Sequence, residues 1–234
     1  MAENEEHYSF DILANAIDSI ESAMDLLAWD DYADEARKYK QTILHVSHGI
    51  ELLLKERLRR IHPSLIWENV DKYPSLESRT VGVEQAIIRL KRIGNIEISD
   101  ADTSLIRSIR NTRNAIEHFK WQTTKSEALS IIGNGLGLCA HFSKEHLGYD
   151  FFGYANKKDD TWRLLIERNP TFLKAYTERF ERAASKEAHG LIACEFCGAT
   201  AVELTGGSCT LCGHWNKVER WDALGGDFDD DIPF

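Results

Sequence analysis

The sequence has no hydrophobic run long enough to cross a bilayer. Its most apolar late stretch, residues 129–138, is interrupted by three glycines and is far shorter than the roughly 18–20 apolar residues that a membrane helix needs. The first residues, MAENEEHYSFDIL, are acidic and carry neither the basic region nor the apolar core of an export signal. We therefore expect a cytoplasmic protein that does not span a membrane.

Basic residues are too few for a protein that coats nucleic acid. The 234 residues hold 28 Lys and Arg against 38 Asp and Glu, a formal net charge of -10. This balance argues against a general positive field, although a local phosphate site is still allowed. Half of the excess acidity comes from five aspartates in residues 222–234, which we expect to form a flexible acidic tail because they cannot build a core.

Strand patterns are almost absent before residue 190, and apolar residues instead recur at helical spacings of three and four. Pro170 is placed to begin the second part of the helical segment 160–188. Glycines in the segment 126–147 would let another helix approach closely. The pattern predicts a mainly α protein, a helical bundle with a small C-terminal β module. Its helices are expected over residues 9–29, 34–61, 83–93, 100–120, 126–147 and 160–188, the last split near Asn169 and Pro170.

Cysteine is scarce and unevenly placed. There are only five, an odd number, and four fall within nineteen residues, which argues against a secreted disulfide scaffold. Cys194 and Cys197 form one CxxC knuckle, Cys209 and Cys212 form a second, and a glycine follows each. Four thiolates close a tetrahedral zinc site without an open position. We predict a structural Zn²⁺ in a zinc ribbon over residues 190–221.

Other uses of the four sulfurs are a redox dithiol, two disulfides and a rubredoxin-like iron site. Two matched knuckles with glycines fit zinc better than any of these. His214 is an alternative ligand, although four sulfurs already complete the shell. The fifth cysteine, Cys139, lies in an apolar stretch, and we expect it to be an ordinary core residue.

The fourth predicted helix carries the densest set of chemically capable side chains in the bundle. Arg110, Asn114 and His118 lie in one row, and Arg113 and Glu117 lie in a neighbouring row. Arginine supplies a permanent bidentate fork and histidine exchanges a proton near neutral pH, so near a helix end the two can converge on one phosphate. The competing interpretation is a solvated helix face with a surface ion pair between Arg113 and Glu117.

The run from Arg113 to His118, RNAIEH, resembles the R-x4-6-H motif of the HEPN superfamily, in its common form with asparagine after the arginine. The preceding long helix and the all-helical context of residues 9–150 are similar as well. The resemblance implies a helical domain that forms a homodimer and brings two motifs into one cleft. Many HEPN proteins are metal-independent endoribonucleases of toxin, phage-defence and CRISPR systems, and others are non-catalytic binding or assembly modules.

The resemblance makes Arg113, His118 and Asn114 the candidate catalytic residues. Attack of a ribose 2′-OH on the adjacent phosphate needs a base, an acid and stabilisation of developing charge. One chain offers one suitable histidine, so a dimer would supply the second. We expect Glu51, on the second helix, to pair with Arg113 and position it. Further supporting residues are Arg110 and Glu117.

The sequence departs from one group of HEPN proteins, the toxins that are paired with nucleotidyltransferase antitoxins. They often carry a tyrosine two positions after the histidine, where this sequence has Lys120. The hypothesis is therefore a HEPN-like endoribonuclease of another toxin or defence type, with RNA as substrate. The alternative is a non-catalytic interaction protein whose ribbon or acidic tail contacts a protein partner. The expected organisation is a HEPN-like bundle (1–150), additional helices (151–189), the ribbon (190–221) and the tail (222–234).

Overall fold

The computed structural model describes residues 8–29, 34–151, 160–184, 191–203, 206–209, 212 and 214–217. Within them the chain is mainly helical, with one small antiparallel sheet near the C-terminus, as predicted. The chain divides into two compact units, Met1–Phe180 and Glu181–Phe234. The acidic tail lies outside the described residues. None of the described helices is both long and apolar enough to cross a membrane.

The described residues contain seven α-helices, two short 3-10 helices and two strands. The α-helices are α1 (Ile12–Ala28), α2 (Glu35–Ile61), α3 (Val83–Arg92), α4 (Asp100–His118), α5 (Lys125–Leu147), α6 (Thr161–Arg168) and α7 (Pro170–Ala184). The 3-10 helices are Pro63–Ile66 and Val70–Lys72, and the strands are β1 (Leu191–Ala193) and β2 (Thr200–Glu203).

Side-chain caps fix the helix starts that matter for the site. Ser99 caps α4, because its hydroxyl accepts the backbone N–H of Asp102 at 3.0 Å. Thr124 and Glu127 form a reciprocal capping box at the start of α5. Only five residues join the end of α4 to Thr124, so this connection is held at both ends. The expected start of α1 at residue 9 is wrong, because Asp11 caps a helix that begins at Ile12.

Glycines in α5 let the backbone of α7 and side chains of α2 and α4 pack closely against this helix. A Cβ at Gly133 would lie 2.7 Å from the backbone nitrogen of Phe172 in α7. A Cβ at Gly135 would lie 2.6 Å from Val46 of α2 and 3.0 Å from Ile109 of α4. The predicted close approach of other helices to α5 is therefore confirmed.

The predicted core position of Cys139 on α5 is also confirmed. The side chain is 0% exposed, and burial raises the pKa of its thiol to about 12. A neutral, inaccessible thiol is a packing group and not a nucleophile.

A buried carboxylate forms ion pairs with two arginines in the C-terminal part of α2. Glu56 is 0% exposed and accepts hydrogen bonds from Arg59 at 2.7 and 2.9 Å and from Arg60 at 2.8 Å. Arg60 also donates to the carbonyl of Leu147 at the end of α5, at 2.7 Å. Burial alone would raise the pKa of Glu56, but the two guanidinium groups outweigh it and hold the pKa below its ordinary value.

We expect Gly133→Ala to lower the free energy of unfolding by about 1–3 kcal/mol, because the new methyl group meets backbone that cannot rotate away. Urea unfolding followed by circular dichroism measures the change. Gly82→Ala is the matched control, because a Cβ there meets nothing within 4 Å. Equal stability of Gly133→Ala and the wild type would contradict the packing described for α5.

The carboxylate of Glu56 gives stability a defined pH dependence. Its folded pKa lies below the ordinary value of 4.5, so its contribution is complete above that pH and is lost as the pH falls through the lower folded pKa. Glu56→Gln should therefore cost about 1–3 kcal/mol at pH 7, and the cost should shrink in acid. Urea unfolding of both proteins over the acid range measures it.

Glu51→Gln is the control for that experiment, because Glu51 forms a partly exposed pair with Lys55. It should cost less than about 1 kcal/mol at pH 7. A cost for Glu56→Gln that stays constant into acid would show that the carboxylate charge does not stabilise the fold.

Candidate functional sites

The first candidate site is the cysteine cluster of the second unit. Strands β1 and β2 pair antiparallel, and the first knuckle forms the turn that joins them. The amide of Cys194 donates to the carbonyl of Ala199, and Gly198 donates back to the carbonyl of Cys194. Gly198 adopts a φ of 73°, which explains the glycine after the knuckle. The glycine after the second knuckle, Gly213, lies outside the described residues.

The four sulfurs are arranged as a metal centre requires. They lie within 4.8 Å of one another, with Cys194 and Cys212 3.6 Å apart and Cys197 and Cys209 3.7 Å apart. Sulfurs about 2.3 Å from a tetrahedral ion are about 3.8 Å apart, so the spacing fits a four-thiolate site. A disulfide needs about 2.05 Å, and none of the four cysteines is disulfide-bonded. The cluster can therefore hold a metal ion and is compatible with zinc.

Backbone amides donate hydrogen bonds to two of the sulfurs. The amide of Cys212 donates to the Cys209 sulfur at 3.5 Å, and the amide of His214 donates to the Cys212 sulfur at 3.4 Å. Hydrogen bonding with Cys209 and Cys212, together with burial, raises the pKa of the Cys197 thiol. A bound cation would reverse this shift and make the cluster four thiolates.

Sequence reasoning missed Asn216, which supports the cluster. This buried side chain donates to the Cys194 sulfur at 3.6 Å and to the His214 carbonyl at 3.0 Å, and it accepts the amide of Glu195 at 2.8 Å. Such outer contacts orient ligands. A single asparagine four residues after the last cysteine gives no signal in the sequence. The ring of His214 stacks on Phe196 and is not part of the metal-binding group.

The second candidate site is the C-terminal part of α4. The first half of this helix buries Thr103, Ile106 and Ile109, and no residue of α4 after Ile109 is fully buried. Arg113 is half-buried, and the side chain of His118, on the final helical turn, is 62% exposed. The last turns of α4 therefore extend beyond the core and present polar groups to solvent.

The structure brings four of the predicted residues together there. Arg113 Nε donates to Glu117 at 2.8 Å, and its Nη1 donates to the Asn114 carbonyl oxygen at 3.2 Å. The same Glu117 oxygen lies 3.7 Å from His118 Nε2. Partly exposed ion pairs contribute only about 0–1 kcal/mol, so an arriving phosphate can take the place of Glu117 on Arg113.

The other two predicted residues have different neighbours. Arg110 lies 3.8 Å from Glu84 of α3. Glu51 forms its ion pair with Lys55 on the next turn of α2, at 2.6 Å. The expected pair between Glu51 and Arg113 is therefore not formed, because each residue has a nearer partner at i+4 on its own helix.

Two features beside this site carried no strong sequence signal. The ring of Phe119, which follows His118, is 82% exposed and lies 6.5 Å from the imidazole, measured between ring centroids. An open groove of about 830 Å³ runs between α4 and the start of α5. Its lining includes the polar or aromatic side chains of Ser108, Asn111, Thr112, Trp121, Gln122 and Ser130.

Comparison with known proteins adds no family to this description. No family model, curated protein or solved structure matches the chain. The HEPN resemblance therefore stays a prediction from the motif and its helical context. Its functional consequences rest on the local chemistry of α4.

We expect the purified protein to hold about one tightly bound metal ion per chain, because four thiolates complete one tetrahedral shell. Elemental analysis after purification under reducing conditions measures it. Cys209→Ser should lose most of the ion, whereas Cys139→Ser, a change in the bundle core, should retain it. A protein without metal, or an equal content in both variants, would contradict the site.

Proposed function

We propose that this protein is a HEPN-like, metal-independent endoribonuclease that acts as a homodimer, with Arg113 and His118 as its catalytic residues. The observation that carries the proposal is the polar cluster of Arg113, Asn114, Glu117 and His118 on the end of a helix that leaves the core. An enzyme of this type would serve as a toxin or a phage-defence ribonuclease.

The proposed reaction uses the two functional groups in separate tasks. A base removes the proton of a ribose 2′-OH, and the 2′ oxygen attacks the adjacent phosphorus. The bond to the 5′ oxygen breaks, and an acid donates a proton to that leaving oxygen. The products are a 2′,3′-cyclic phosphate and a 5′-hydroxyl. Imidazole serves both proton transfers, and the guanidinium of Arg113 stabilises the negative charge on the phosphorane.

The number of proton-transfer groups that the reaction needs favours a homodimer. The reaction needs an acid and a base, and the exposed turn of α4 carries one histidine, His118. A second copy would supply the other histidine and a second Arg113. Ile116 and Arg113 are half-buried, and they lie on the same side of α4 as the buried Ile109. This continuation offers a surface on which a second copy can complete the cleft.

The neighbouring side chains have supporting roles in this proposal. Glu117 holds Arg113 in place before the phosphate arrives, and Asn114 keeps a hydrogen bond to the same guanidinium. Arg110 adds positive charge one turn before the motif. Glu51 is left outside the catalytic group, because it is paired with Lys55.

We assign Zn²⁺ to the four-cysteine cluster in a structural role. Four thiolates leave no coordination position for water or substrate, so the ion would hold the knuckles together and supply no chemistry to RNA cleavage. The strands beside it have only three and four residues, too little sheet to be stable without such a crosslink.

A non-catalytic interaction protein is the second candidate function. It is favoured by Trp215, whose side chain is 72% exposed in the cysteine-rich unit, and by the exposed Ile192 on β1. Exposed aromatic groups of this kind are typical of protein contact surfaces. In this case the bundle would form the dimer, and the second unit would bind a protein partner.

Incubation of the protein with mixed tRNA and mRNA in EDTA tests the proposed activity. We expect cleavage that leaves cyclic phosphate ends. His118→Ala should lower the rate by about 100-fold or more, because it removes the proton-transfer group. Arg113→Ala should lower it by a similar factor, because it removes charge stabilisation. Gel electrophoresis and end-group analysis measure the rates and products.

Arg92→Ala is the matched control, since it removes an exposed arginine at the end of α3. It should leave the rate unchanged. Intact RNA with the wild-type protein, or equal cleavage by wild type, Arg113→Ala and His118→Ala, would overturn the proposal. Intact RNA together with a protein partner that is lost in Trp215→Ala would favour the interaction protein.

A further inference from the structure

The end of α4 is a positive surface on an acidic protein. Residues 107–120 hold four basic side chains and one acidic side chain, a local charge of +3, whereas the whole chain carries -10. The acidic contact from another helix is Glu84, which binds Arg107 at 2.9 Å and approaches Arg110 at 3.8 Å. One carboxylate is thus shared between two guanidinium groups. Net positive charge remains on this face and complements a phosphate backbone.

Phe119 places an uncovered aromatic ring on that positive surface. Its backbone is extended, with φ of -137° and ψ of -150°, at the position where α4 ends. The ring is 82% exposed, and its centroid lies 6.5 Å from that of His118. An unpaired base can stack on such a ring, which contributes about 1–3 kcal/mol per base in single-strand complexes. Stacking there would bring the attached ribose and phosphate next to His118.

The side chains that line the groove between α4 and α5 can form hydrogen bonds with a ligand but add no unpaired charge. Its charged lining residues, Arg107 and Glu127, are already engaged, the first with Glu84 and the second in the capping box with Thr124. The remaining lining is hydroxyl, amide and aliphatic groups and the indole of Trp121. Amide and hydroxyl groups can bind the Watson–Crick edges of bases, which are accessible in unpaired RNA and engaged in base pairs in a duplex.

From these observations we infer that Phe119 stacks on an unpaired base beside the scissile phosphate and that the α4–α5 groove holds the neighbouring nucleotides. This inference rests on the proposed function, because it assigns the base-binding residues at the same site. Phe119 acts here as a positioning residue, since it would contact a base and not the reacting atoms.

Binding of a fluorescently labelled, unstructured RNA to the full-length His118→Ala protein tests the inference without cleavage. Added Phe119→Ala should weaken binding about 5- to 100-fold, because it removes one stacking interaction. Phe119→Trp should keep the affinity, whereas Phe119→Leu should behave like alanine. Fluorescence anisotropy measures each dissociation constant. A duplex RNA of the same length should bind at least about 10-fold more weakly.

Two further variants separate the groove from general effects. Asn111→Ala should weaken binding of the single strand about 2- to 10-fold, because it removes a hydrogen-bonding group from the lining. Leu76→Ala is the control, since it removes an apolar side chain that is 94% exposed in a different loop. It should leave the affinity unchanged. All of these positions lie on the surface, so the variants should fold.

The outcomes distinguish this inference from the proposed function. Cleavage that depends on His118, with unchanged binding in Phe119→Ala, would overturn the inference and leave the nuclease standing. Binding that depends on Phe119, with no cleavage by the wild type, would support the surface and overturn the nuclease. Stronger binding of duplex than of single strand would overturn the inference. So would a Phe119→Ala protein that becomes monomeric in sedimentation, because the ring would then be a contact between copies.

Discussion

Close packing at the glycines of α5 is the constraint on which the helical bundle depends. Because Gly133 and Gly135 have no side chains, α7 and α2 approach α5 at distances that a methyl group would forbid. Gly135 also receives Ile109, the last buried residue of α4. Ile109 is thus the last point at which α4 is buried in the core. The remaining turns, which carry Arg113 and His118, lie beyond that point.

Hydrogen bonds at both ends hold the loop that follows the site. A capping box starts α5 at Thr124, and the amide of Phe119 closes the last turn of α4 on the Ala115 carbonyl at 3.1 Å. The loop is thus short and anchored at both ends, while its aromatic and basic side chains remain accessible. The ion pair between Arg113 and Glu117 is of the weak, exchangeable kind, so a polar cluster can be arranged in advance and still accept a ligand.

Much of this architecture could be predicted from the sequence, because helical periodicity and two CxxC knuckles are local signals. The side-chain pairings were harder. Glu51 has several possible basic partners, and the i+4 position of Lys55 prevails over a contact between helices. The start of α1 depends on which side chain reaches the N-terminal amides, and Asp11 accepts the amide of Ala14 at 2.8 Å. Asn216 and the α4–α5 groove arise from contacts between segments distant in sequence, which no periodicity records.

The burial of Cys139 has a practical consequence for following the molecule in solution. Its thiol is inaccessible and resists ionisation, whereas the other four thiols belong to the second unit. An alkylating reagent at neutral pH therefore reports first on the opening of the cysteine cluster. A fifth modified cysteine appears only when the helical bundle opens. The number of labelled thiols per chain therefore distinguishes the opening of the second unit from the unfolding of the first.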